Sequence, residues 1–192
     1  AKQQEELSDD EVLRIIDELA AEGCLFLALS GGEALVHPSL PKFIERARAR
    51  RMFVRVKSNG VLLSPMMVKA LLEAGANACD VSLYGAQAAS HDAFVKAPGA
   101  FERTMAGVRA ARLVGLQVKF AFVLVRSNAG EIDRMFELAQ ELGVPASLDT
   151  QVTARYDGTR SSMDLAVDRE TLRALYRGPL QRFLPGVDPN PE

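Results

Sequence analysis

Residues 10–33, DEVLRIIDELAAEGCLFLALSGGE, set out the unit from which the chain is built. An amphipathic stretch with apolar positions three and four apart runs up to Gly23, and a short apolar run follows and closes on small polar residues. Glycine at that junction takes the left-handed conformation that a helix C-terminus asks for, without steric cost. The same order recurs four times: LPKFIERARARR (40–51) before MFVRVKS (52–58), PMMVKALLEAG (65–75) before ANACDVSLYG (76–85), FERTMAGVRAARLVG (101–115) before LQVKFAFVLV (116–125), and EIDRMFELAQELG (131–143) before VPASLDTQV (144–152). Gly75, Gly115 and Gly143 repeat the stop signal. Ser8, Ser39 and Ser64, each just ahead of acidic residues or proline, supply start signals.

Helix and strand in strict alternation predict an α/β fold with a parallel sheet joined by right-handed crossovers. Strands are expected near 25–29, 52–57, 79–83, 117–124 and 146–151, curved into a partial barrel of the (β/α)6 type. The first element is a helix, Ser8 to Glu22, so the first strand of that barrel is expected to be missing. After Gly158 the rhythm stops. The barrel core is therefore expected over 1–158, and 159–192 should hold one more helix near Asp168 to Arg177 and a proline-rich tail, a linker toward a C-terminal domain not present.

Of the 192 residues 48% are hydrophobic, enough for a core, and 23 basic against 25 acidic residues leave a net charge of −2. No global field draws the chain to nucleic acid or to an anionic membrane. No apolar run reaches the roughly 18 residues of a spanning helix, and the acidic start lacks the layout of a signal peptide, so a cytoplasmic location is expected. Two cysteines, Cys24 and Cys79, are too few for a disulfide scaffold or for a metal centre built from cysteine alone. Each is expected at the beginning of a strand as a small buried hydrophobe. His37 is expected to cap or pack, and His91 to pair with Asp92.

In parallel α/β folds ligands gather at the carboxyl ends of the strands. There the chain places Ser30-Gly31-Gly32-Glu33, Ser58-Asn59-Gly60, Ser82-Leu83-Tyr84-Gly85 and Arg126-Ser127-Asn128. Two glycines let a ligand approach the main chain, and Glu33 offers an acceptor to an ammonium; a tight turn with a solvated carboxylate is the plainer alternative. Strand parity puts Val54 and Val56 on one face of MFVRVKS and Arg55 and Lys57 on the other. Those cations face either the wet lumen of an open barrel or solvent from an edge strand.

SGGEALVHPSL (30–40), KSNGVLL (57–63), VSLYGAQAASHDAF (81–94) and GAFERTMAGV (99–108) together resemble the core of radical S-adenosylmethionine (SAM) enzymes, in the peptide-modifying branch that carries a SPASM or twitch extension. The resemblance implies that Gly31, Gly32 and Glu33 hold the amino group of the cofactor's methionine end. It places Ser58 near the ribose, Ser82 and Arg103 on the methionine carboxylate, and Lys57 and Tyr84 toward the substrate. It implies a peptide or protein substrate, an electron donor, and a 4Fe-4S cluster whose reductive cleavage of SAM yields a 5'-deoxyadenosyl radical.

Against that pattern, the CxxxCxxC that follows the family's first strand is absent, and so is the cysteine-rich C-terminal domain. Cys24 and Cys79 do not replace it, because the cluster needs three thiolates at the other end of the strands. The expectation is the central part of a longer enzyme, with the cluster ligands outside this chain. The alternative is a cluster-less module of the same fold that binds without catalysis.

Overall fold

The computed structural model describes residues 6–154 and 158–183. Its described residues fall into two compact units, one formed by 6–81 with 104–118 and the other by 82–103 with 119–154 and 158–183. Five strands, β1 (Phe26–Leu29), β2 (Phe53–Ser58), β3 (Ala78–Leu83), β4 (Gln117–Val123) and β5 (Ala146–Asp149), form one sheet in chain order. The pairs β1–β2, β2–β3 and β4–β5 are parallel. A doubly wound sheet reverses its strand order at a switch point; this one never does, as expected of a barrel wound in one sense. Among the described residues no helix is long and apolar enough to cross a membrane.

In the first unit, helices α1 (Asp9–Ala21), α2 (Leu40–Ala49) and α3 (Pro65–Glu73) separate the strands. Ser8 caps α1 in a reciprocal box with Glu11, and the Ser64 hydroxyl accepts from the Met67 N–H. Ser39 departs from its expected role. It precedes α2 without a side-chain cap, because its hydroxyl donates to Asp9. Asp17 on α1 then receives Arg46 of α2 at 3.1 Å and Arg50, the residue that closes α2, at 2.9 Å. Val54 and Val56 are fully buried with Ile44, Ala47, Val68 and Leu71 from the helices, so the even positions of β2 make the core.

The odd positions face away from that core. β2 lies between β1 and β3, which rules out the edge-strand reading of Arg55 and Lys57. Arg55 Nη1 lies 3.2 Å from Oδ2 of Asp80 on β3, and Lys57, the register partner of Asp80, is exposed.

The second unit holds helix α4 (Ala88–Val95), β4, β5, helix α6 (Ile132–Glu141) and helix α7 (Arg169–Arg177). Between α4 and β4 the chain runs through helix α5 (Ala100–Leu113). Phe122 meets Phe136 of α6 edge-on at 5.1 Å, and Phe136 stacks on Phe183 at 4.9 Å. Helix α7 starts where expected, its N-cap Asp168 accepting from the Thr171 N–H. Most of the proline-rich tail, 184–192, lies outside the described residues.

Candidate functional site

The carboxyl end of β1 leads into Ser30-Gly31-Gly32-Glu33, and the carboxyl end of β2 into Ser58-Asn59-Gly60. Parity sends Ser58 to the same side as Val54 and Val56, so it is buried. Its hydroxyl donates to Glu33 Oε1 at 2.7 Å and accepts from the Gly60 N–H at 2.9 Å. The Asn59 N–H donates to Glu33 Oε2 at 2.7 Å, and the Leu35 N–H to Oε1 at 3.0 Å. Three donors from two loops thus hold one carboxylate. An ionised carboxyl has about four lone-pair directions, so one is left for a further donor such as an ammonium.

Around Gly31 and Gly32 there is open space: a Cβ added at either would meet nothing within 4 Å. Both glycines, with Glu33, line a recess of about 450 Å³ whose apolar wall includes Leu29, Leu40 and Phe43. Gly60 is a glycine for another reason. Its φ is +78°, and a Cβ there would sit 2.8 Å from Thr104 and from Val81. Thr104, fully buried on α5, donates its hydroxyl to the Asn59 carbonyl at 3.1 Å and so holds the same loop from the other side.

At the carboxyl end of β3, Ser82 and Tyr84 are both half-buried. Tyr84 stacks on Phe94 at 4.4 Å, and its main chain is bonded to His91 and Asn128. Arg103 is exposed near the start of α5, its Nη2 3.4 Å from the Pro98 carbonyl. Gly99, at φ +74°, leaves the room that guanidinium occupies, since a Cβ there would lie 3.1 Å from Arg103 Nη1.

Two expectations about side chains need correction. His91 does not pair with Asp92: it is buried, and its Nδ1 accepts from the Tyr84 N–H at 3.2 Å, while Asp92 accepts from the Gly99 and Phe101 N–H groups. Burial pushes the imidazole below the usual histidine range, with Asp92 pulling the other way. Cys24 is half-exposed and lies before β1, its thiol 3.2 Å from the Phe26 carbonyl. Cys79 is buried as expected, and burial, helped by Asp80 and Glu33, pushes its thiol up to about 12. His37 packs on Phe43 and accepts from the Ser39 N–H.

Thr104 is a contributor that local sequence pattern does not mark, and the pattern marks Asn128 only by its place after a strand and His91 and Asp92 only as a pair, not as anchors of these loops. Among the described residues five polar side chains are buried: Ser58, Asp80, His91, Thr104 and Asn128. Four of these bond the loops at the carboxyl ends of β2 and β3. Buried polar groups cost desolvation, and here that cost goes into fixing strand-end loops.

The chain is similar to known proteins in sequence and in fold. The chain is 40% identical over 141 residues to an AdoMet-dependent heme synthase of Methanosarcina barkeri, an alignment covering 73% of this chain and 40% of the relative. It is 33% identical over 138 residues to a PqqA peptide cyclase of Granulibacter bethesdensis, covering 72% of this chain and 37% of that one. The chain thus spans about 40% of the length of these relatives. In fold it superposes on Streptococcus suis SuiB bound to its precursor peptide SuiA (TM-score 0.72, 13% identity, 95% of this chain and 40% of SuiB). It superposes similarly on anSMEcpe with bound AdoMet (TM-score 0.71, 13% identity, 95% of this chain and 52% of that one). The radical SAM superfamily is matched over residues 1–139, and with the strand-end loops described above this establishes that the chain belongs to that superfamily.

Proposed function

We propose that the chain binds SAM at the carboxyl ends of its strands and forms the core of an enzyme that uses it to modify a peptide or protein. The observation that carries this is the Glu33 carboxylate, held by Ser58, Asn59 and Leu35 beside two glycines with open space around them. In the proposal Gly31 and Gly32 let the methionine end approach the main chain, and Glu33 accepts from its ammonium. Ser82 and Arg103 take the carboxylate, which a guanidinium can bind through two parallel hydrogen bonds. Ser58 acts on the ligand through Glu33, since its hydroxyl is already engaged there. Lys57 and Tyr84 stand on the substrate side. SAM held there would supply the chemistry: cleaved by one electron from an external reductant, it would give methionine and a 5'-deoxyadenosyl radical able to take a hydrogen atom from the substrate.

The same test of fit fails for a cluster. Among the described residues no three side chains come together as metal ligands, and the two cysteines are a half-exposed residue before β1 and a buried one inside β3. A 4Fe-4S cluster and an electron donor remain requirements of the proposed chemistry that these residues do not meet.

Equilibrium dialysis of the full-length protein against labelled SAM tests the cofactor assignment: retention by the wild type and loss in Glu33→Ala are expected, and equal retention in both overturns it. A second substrate reading, a tetrapyrrole, is favoured by the 40% identity to the heme synthase. Formation of 5'-deoxyadenosine, stimulated by a peptide encoded beside the gene or by an iron porphyrin, separates the two.

A further inference from the structure

The main chain leaving β3 is captured by side chains at three points. The Tyr84 N–H donates to His91 Nδ1 at 3.2 Å, the Tyr84 carbonyl accepts from Asn128 Nδ2 at 3.2 Å, and the Ala86 N–H donates to Glu131 Oε2 at 2.9 Å. His91 is 2% exposed and Asn128 0%. Between these points Gly85 lies so close to the start of α4 that a Cβ would come within 2.3 Å of Ser90 Oγ. An ordinary surface turn leaves such groups to water. Enclosing an imidazole and a carboxamide to satisfy them makes sense where the position of the turn itself matters.

The residue after His91 does the same for a second segment. Asp92 accepts from the Gly99 N–H at 2.6 Å and the Phe101 N–H at 2.8 Å, which fixes the turn between α4 and α5. Successive side chains on a helix diverge by about 100°, so one dipeptide reaches two different stretches of chain. The first stretch carries Ser82, two residues before Tyr84. The second carries Arg103, two residues after Phe101.

We propose that His91 and Asp92 are positioning residues for a carboxylate subsite: through the main chain of Tyr84, Gly99 and Phe101 they set Ser82 and Arg103 to receive the carboxylate of SAM, without contacting it. This rests on the reading of Ser82 and Arg103 given above. It goes beyond that reading by assigning the subsite's geometry to two residues outside it, one of them a buried histidine.

The test uses variants of the full-length protein with two readouts, amide hydrogen exchange over 84–86 and 99–101 and SAM affinity by equilibrium dialysis. Asn carries its amide where His carries Nδ1, whereas Gln carries it near Nε2. His91→Asn therefore keeps an acceptor for the Tyr84 N–H, and His91→Gln does not. Loss of one such bond in His91→Gln should speed Tyr84 exchange about tenfold and weaken SAM binding about five- to tenfold, with His91→Asn within about twofold of wild type in both. Asp92→Asn, which offers one acceptor oxygen to two N–H donors, should weaken SAM binding by a similar factor and serves as the second arm if the Gln variant does not fold. Faster exchange with unchanged SAM affinity overturns the proposal and leaves the SAM reading standing. A SAM-binding protein indifferent to Arg103→Ala overturns the subsite itself, and the proposal with it. A wild type that does not retain SAM overturns the whole reading.

Discussion

Glu33→Gln exchanges a single oxygen for a nitrogen at the centre of the site. In the wild type Oε1 accepts from Ser58 Oγ and the Leu35 N–H, and Oε2 from the Asn59 N–H. A carboxamide has one oxygen. If that oxygen turns to Asn59, its NH2 faces the Leu35 N–H; if it turns the other way, the NH2 faces the Asn59 N–H. Either orientation sets donor against donor: the first forfeits the charge-assisted bonds from both Ser58 and Leu35 and the second only that from Asn59, so the smaller loss is one such bond, worth about 1.5–3 kcal/mol at a buried site. Glu33 is half-buried and Asn59 exposed, so the lower end applies, about 1.5 kcal/mol of stability. For a chain of this size that lowers Tm by about 3–6 °C. SAM affinity should fall further, about ten- to a hundredfold, because the ammonium loses its counter-charge as well. Ser58→Ala calibrates the result: it keeps the charge and loses one hydroxyl, and should weaken SAM binding only about two- to fivefold. Isothermal titration of the full-length protein with SAM reads both variants. Wild-type affinity in Glu33→Gln, or a larger loss in Ser58→Ala than in Glu33→Gln, would refute the reasoning.

Gly31→Ala, with nothing within 4 Å of the new methyl, should leave Tm unchanged and weaken SAM binding, whereas Gly85→Ala, 2.3 Å from Ser90 Oγ, should cost about 1–3 kcal/mol in a denaturant melt. Because burial lowers the His91 pKa, the unfolded chain takes up that proton first on acidification; stability that is full above a pH of about 6.5 should be lost as pH falls below it. Asp92, its carboxyl lowered chiefly by the Phe101 N–H, contributes stability that is lost only further into acid, so Tm between pH 8 and 5.5 should fall in the wild type and flatten in His91→Asn. Iodoacetamide at pH 8 should alkylate the half-exposed Cys24 and leave Cys79, whose thiol is pushed up to about 12, intact by mass spectrometry. Anaerobic reconstitution of the 192-residue chain should yield no stoichiometric 4Fe-4S cluster by iron and sulfide analysis.

Features encoded by neighbours in the chain were legible without coordinates. Gly23, Gly75, Gly115 and Gly143 end their helices at φ of +83°, +91°, +86° and +60°, and Ser8 and Ser64 cap theirs. The alternation in MFVRVKS puts Val54 and Val56 on one face, which the structure buries, and leaves two readings for Arg55 and Lys57, which only the flanking strands decide. Ser39 shows where local pattern fails: a better acceptor, Asp9, is 30 residues away in sequence. The site divides in the same way. Gly31, Gly32, Glu33 and Ser58 stand out as small and polar residues after strands, but the bond between Ser58 and Glu33 spans 25 residues and that between Asn128 and Tyr84 spans 44. His91 and Asp92 invite pairing because they are adjacent and of opposite type. Adjacency on a helix is what separates their side chains.

The buried anchors of the strand-end loops bear on how this barrel can be re-engineered. Exchanging loops between relatives is an obvious way to alter what such a fold acts on, and it presumes that each loop is a removable module. Here the loop at 58–60 is tied to Thr104 on α5, and the loop at 84–86 to His91, Asn128 and Glu131. A graft that carries only the visible turn would arrive without its anchors, leaving a buried hydroxyl, imidazole or carboxamide in the host with nothing to bond. The transplantable unit is the turn together with its distant tethers, and chimeras cut at the loop ends should be less stable than chimeras that move both.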